Sequence, residues 1–101
     1  MSFSGTELKE TLAQSVSVSD EALIADLADG RTITVPLAWF PRLANGTPTE
    51  RGNWRLIGGG EGIHWPDLDE DISVESLLAG RRSGESQASL GRWLQQRESA
   101  H

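Results

Sequence analysis

Between Leu23 and Leu37 the side chains alternate with a period of two, and one Asp-Gly pair interrupts them. Leu23, Ala25 and Leu27 precede the break; Ile33, Val35 and Leu37 follow it, spaced by Thr32, Thr34 and Pro36. Such alternation marks strands with one buried face, and parity then fixes the loop. A two-residue Asp29-Gly30 loop would pair Leu27 with Thr32 and put the two apolar sets on opposite faces. A three-residue loop, Ala28-Asp29-Gly30, pairs Leu27 with Arg31 and Ala25 with Ile33, so all six apolar residues share one face. The sequence therefore predicts a type I turn closed by a bulge, with Gly30 left-handed. Val16 and Val18 supply a further short strand, turned at Asp20-Glu21.

The flanking segments are shorter and more helical. Leu8 and Leu12 stand at helical spacing in an otherwise polar start, which predicts a marginal first helix in a flexible N-terminus over 1–15. Trp39, Phe40 and Leu43 fit one helical turn, confined by Pro41 and ended by Asn45-Gly46. Thr47-Pro48-Thr49-Glu50 is the clearest helix start, a capping box with Pro at the first helical position. Trp54 and Ile57 are read as the inner face of that helix, with Gly58 closing it. Ile63-His64-Trp65 reads as a strand that Pro66 confines to an edge or ends. Ser73 caps a helix through Val74, Leu77 and Leu78, closed by Gly80. After Arg81-Arg82-Ser83-Gly84, Ser86 to Arg97 forms a last helix with an apolar stripe of Leu90, Trp93 and Leu94. The expected fold is α+β: a small antiparallel sheet, a meander or hairpin plus one short strand, packed by two to four short helices. A core over 16–80 is followed by a linker and C-terminal helix over 81–101.

Charge narrows the function. The net charge is −6, and it is uneven: residues 1–80 carry five basic and thirteen acidic groups, residues 81–101 four Arg and two Glu. Direct nucleic-acid binding is disfavoured, because phosphate contacts depend on Lys and Arg. Cysteine is absent, which removes disulfides, zinc-thiolate sites and thiol nucleophiles and fits a reducing cytosol. No apolar run approaches the ~18 residues of a membrane span, and Met1 to Glu7 lacks the layout of a signal peptide. A cytoplasmic chain is expected.

The chemical candidates gather between Gly58 and Ser73, and each is weak. Gly58-Gly59-Gly60-Glu61-Gly62 lacks the preceding strand, the following helix and the Gly-Lys-Ser/Thr of a phosphate loop. Asp67, Asp69 and Asp71 open like a calcium loop, but Ile72 and Leu78 stand where Gly and a bidentate Glu are needed. Asp69, Glu70 and Asp71 offer a weaker magnesium reading; as plain structure, they charge the start of the helix after Ser73. His64 beside Glu61 and Asp69 offers a general base, although strand alternation turns it away from Ile63 and Trp65. No Gly-x-Ser-x-Gly elbow is present. Trp39 and Trp54 are assigned to the core, and Trp65, placed on an edge, to a binding hot spot.

The strings Leu27-Ala28-Asp29-Gly30-Arg31, Val35-Pro36-Leu37, Phe40-Pro41-Arg42-Leu43 and Gly62-Ile63-His64-Trp65-Pro66-Asp67-Leu68-Asp69-Glu70-Asp71-Ile72-Ser73 together resemble a small bacterial domain-of-unknown-function family catalogued as 2442. The likeness covers roughly Val16 to Gly80, and Glu85 to Leu94 is similar to the tail of one subset. The resemblance carries no activity. It implies a paired, toxin–antitoxin-like context with another small family, catalogued as 4160. Some relatives add a helix-turn-helix domain, which the single tail helix here cannot form, and some bear a molybdopterin-related label unsupported by these residues.

The leading expectation is a non-enzymatic interaction module, antitoxin-like, without cofactor or metal. Its contact surface is Trp65, Asp67, Asp69, Glu70 and Asp71 with Leu90, Trp93 and Leu94, and its partner a more basic protein from an adjacent gene. The alternatives are a small ligand- or metal-dependent enzyme centred on Glu61, His64 and Asp69, and a module that homodimerises through the C-terminal helix.

Overall fold

The computed structural model describes residues 11–99; Leu8 of the expected first helix lies outside them. Two antiparallel three-stranded meanders make up the sheet structure. The first contains β1 (Ala13–Val18), β2 (Ala22–Leu27) and β3 (Thr32–Pro36); the second contains β4 (Arg55–Ile57), β5 (Gly62–Trp65) and β6 (Glu70–Ser73). Between them lie a 3₁₀ turn at Leu37–Trp39 and the short helices α1 (Pro41–Ala44) and α2 (Pro48–Gly52). Helices α3 (Val74–Leu78) and α4 (Gln87–Ser99) follow. The α+β class stands, with a second sheet added to the one expected.

The central hairpin has the register that parity demands. Ala25 faces Ile33 and Leu23 faces Val35. The Leu27 N–H donates to the Arg31 carbonyl at 2.8 Å, and Gly30 sits at φ 97°. Leu23, Ala25, Leu27, Val35 and Leu37 are buried. β1 begins at Ala13, earlier than the two valines suggest, and pairs with β2 up to Leu27. The sheets share one core, in which Val16, Leu23 and Val35 join Ile63, Trp65 and Ile72, with Phe40, Leu43, Val74 and Leu77 from the connecting segments.

Three local readings are corrected. The capping box forms as expected: Thr47 Oγ1 accepts from the Glu50 N–H, and Glu50 Oε1 accepts from the Thr47 N–H. The helix it starts nevertheless ends at Gly52. Gly52 costs about 1 kcal/mol relative to Ala in a helix interior, and Arg55, Leu56 and Ile57 gain more by pairing with β5. Second, Trp65 ends the central strand of its sheet, flanked by β4 and β6, and is fully buried. Its indole N–H donates to the Arg51 carbonyl at 3.0 Å. Third, Glu70 and Asp71 belong to strand β6, so they do not charge a helix start. Ser73 alone caps α3, accepting from the Ser76 N–H, and Gly80 at φ 72° closes it. Trp39 and Trp54 are half-buried and pack against the core.

Candidate acidic edge and cleft

β5 and β6 form a hairpin whose turn is made by Pro66, Asp67, Leu68 and Asp69. Leu68 is fully buried and pins this turn to the core. Asp69 has φ 51°, a left-handed conformation that Asp and Asn tolerate better than most residues. Asp67 accepts a hydrogen bond from Asn53 Nδ2 at 2.9 Å. The turn thus explains two of the acids structurally and leaves both carboxylates in solvent.

Pairing on β5 distributes the remaining groups. His64 faces Asp71, and its Nδ1 meets Asp71 Oδ1 at 2.5 Å. On its other side His64 faces Arg55. Arg55, His64 and Asp71 therefore form one cross-strand row on the sheet face away from Ile63 and Trp65, as strand alternation predicts for His64. Glu70 lies on the opposite face, in register with Trp65. Its carboxyl is pushed up to about 7, chiefly because burial penalises its charge; Glu85 and Asp71 push the same way against the Arg42 guanidinium.

Glu61, His64 and Asp69 do not converge. Glu61 precedes β5 and stands opposite Val74, whereas Asp69 lies beyond Trp65 at the other end of the hairpin. At ~3.3 Å per residue those two positions, five residues apart along the ladder, are separated by roughly 16 Å. Among the described residues, no three His, Asp or Glu side chains are grouped to hold a metal ion.

The tail folds back over this region. Arg42 forms a bidentate pair with Glu85, at 2.8 Å from Nε to Oε1 and 2.7 Å from Nη2 to Oε2. Its Nη1 also donates to the Asp69 carbonyl at 3.0 Å. The Arg42 partnership holds the Glu85 carboxyl below the usual range. Arg42 and Arg97 both lie over the Trp93 ring, 5.1 and 4.7 Å from its centroid, and Arg97 pairs with Glu50 at 2.8 Å. Trp93 is thereby buried against its own chain, with Leu90 and Leu94 half-buried beside it. Neither Arg42 nor Arg97 was marked by the sequence reading. Their partners lie 43 and 47 residues away, beyond any local pattern.

Between the tail and the second sheet runs a cleft of about 510 Å³. Residues 69–73 form one wall and 81–85 the other, with Phe40 and Arg42 at its base. Asp69, Glu70 and Asp71 line it; Asp67, Trp65, Leu90, Trp93 and Leu94 do not.

A family model described as "Protein of unknown function (DUF2442)" matches residues 13–83, from the first residue of β1 to the cleft wall. The chain belongs to the DUF2442 family. It is similar to a protein of unknown function from Rhodospirillum rubrum, known from a crystal structure, with 26% identity and a TM-score of 0.65 over 80% of this chain and 98% of that one. It also shares the fold of an uncharacterised protein from Chromobacterium violaceum, known from a solution NMR structure, with 21% identity and a TM-score of 0.65 over 87% and 81% of the two chains. No curated protein matches it. No helix among the described residues is long and apolar enough to cross a membrane.

Proposed function

We propose that this DUF2442 protein is a non-enzymatic cytoplasmic binding module, antitoxin-like, that holds a more basic protein by the acidic edge from Asp67 to Asp71. The observation that carries this reading is the concentration of solvent-facing carboxylates along one sheet margin, beside an open cleft. The side chains of Asp69 and Asp71 are 87% and 67% exposed, in a chain of net charge −6. Electrostatic complementarity of this kind raises association rates and selects partners by sign. Trp65 supports the edge from beneath, and the tail, held by Trp93, Leu90 and Leu94, supplies the far wall of the cleft. The separation of Glu61 from Asp69 counts against a catalytic centre built on that trio.

Co-expression with the product of the adjacent gene tests the reading. The wild-type chain is expected to co-purify with that product at low salt. A D67N/D69N/D71N variant, whose Asn side chains keep the turn geometry, should lose most of it. Absence of any complex, or an unaffected variant, overturns the proposal.

A further inference from the structure

The second sheet ends at β6, and among the described residues no strand pairs with its outer side. The Val74 N–H donates to the Glu61 carbonyl at 2.9 Å, which sets the phase of the β5–β6 ladder. In an antiparallel pair, hydrogen-bonded and non-bonded pairs alternate. Glu61 with Val74, Ile63 with Ile72 and Trp65 with Glu70 are therefore the bonded pairs, and the Asp71 N–H and C=O and the Ser73 N–H point outward, the Ser73 carbonyl belonging to the first turn of α3. That outward side is the wall of the 510 Å³ cleft. An open strand edge offers a row of N–H and C=O groups to any extended chain that fits beside it.

Charge chooses the occupant. Along the row Arg55, His64, Asp71 the next position outward lies against a carboxylate, where a cation stabilises the pair and a like charge destabilises it. A second copy of this chain, pairing β6 with β6, would bring Asp69, Glu70 and Asp71 against their own equivalents. At the base of the cleft Arg42 is clamped to Glu85 and lies 3.5 Å from Asp69 Oδ2, and on the far wall Arg82 lies over the Trp39 ring, 4.9 Å from its centroid. Arg81 lines the same wall, so the preference for a cation is local to the position opposite Asp71, whose side chain is 67% exposed.

We propose that this cleft receives an extended, Lys- or Arg-bearing segment of the partner protein, which adds to β6 as a fourth strand and places a cation opposite Asp71. The inference rests on the acidic-edge reading and specifies its geometry. The Glu70 carboxyl lies near the Asp71 N–H, so the incoming strand displaces it and takes that donor.

The test uses the full chain and a short fluorescent peptide alternating Lys and Val. Two analogues are N-methylated on alternate residues, so that in each one only one edge of the peptide loses its N–H donors. Strand addition predicts that one analogue binds about tenfold or more weaker than the parent while the other binds as well. It also predicts that exchange of the Asp71 and Ser73 amide protons slows by about tenfold or more on binding. If both analogues bind like the parent, strand addition is overturned while an acidic contact surface survives. If the parent peptide does not bind at low salt, strand addition by a basic segment is overturned; co-purification then judges the broader reading independently.

Discussion

Glu70 and Arg51 show how much one side chain can decide. The Glu70 carboxyl has a folded value of about 7 against an ordinary 4.5, so between these limits the folded chain holds a proton that the unfolded chain has released. Its contribution to stability therefore falls as pH rises through that window. Glu50 and Glu85 act with the opposite sign: paired with Arg97 and Arg42 they are held below 4.5, and their stabilisation is lost as acid protonates them. A Glu70→Gln variant should leave the urea midpoint nearly unchanged near pH 4.5 and raise it above pH 7, flattening the neutral side of the profile. Arg51 is buried; its Nε donates to the Leu43 carbonyl at 2.8 Å and its Nη2 to the Ala44 carbonyl at 2.9 Å, closing the end of α1. Arg51→Ala strands the Ala44 carbonyl, while the Leu43 carbonyl still accepts from the Gly46 N–H, and should cost about 1–3 kcal/mol in urea denaturation, the range for one unsatisfied group. Nothing in the sequence marks this arginine, because its partners are backbone atoms of a helix that Pro41 and Asn45 only outline and the Asp20 carboxylate 31 positions away.

Among the elements, legibility follows the length of the pattern. The β2–β3 hairpin could be read to the residue because six apolar side chains must share a face, and a one-residue slip would expose them. The capping box at Thr47 gave the start of α2 correctly, but a cap carries no information about length, and β4 is too short to show alternation. β6 was hidden because its four residues, Glu-Asp-Ile-Ser, contain one apolar side chain; the strand exists through pairing with β5. Helix α4 is held through Trp93, with the Arg42 guanidinium over its ring, a contact worth about 0.5–1 kcal/mol near the surface, and through the Arg97–Glu50 pair. Trp93→Ala should release this helix as a unit. Amides of residues 90–97 should then exchange at least about tenfold faster, while those of β2 and β5 keep their protection. Equal acceleration in β2 would mean that the tail is integral to the core fold.

At the scale of the whole molecule, one glycine stitches the two sheets together. The Gly60 carbonyl accepts from the Ala13 N–H at 2.8 Å, and a Cβ on Gly60 would lie 2.6 Å from the Ala13 carbonyl oxygen. Its neighbour Gly59, also at positive φ, faces open space. Gly60→Ala should therefore lower the urea midpoint clearly more than Gly59→Ala. The sequence showed a glycine-rich bend but not which of its members touches β1, since that contact spans 47 positions of chain. The acidic edge was legible as composition. The cleft beside it was not, because its far wall comes from a segment that reads only as a linker. Affinity of the Lys–Val peptide, measured from about 20 to about 300 mM salt for wild type and D69N/D71N, tests most directly whether this margin is a contact surface for cations. The dissociation constant should weaken about tenfold or more across that range for wild type, and be weaker at low salt and flatter for the variant. A dissociation constant indifferent to both salt and substitution would contradict it.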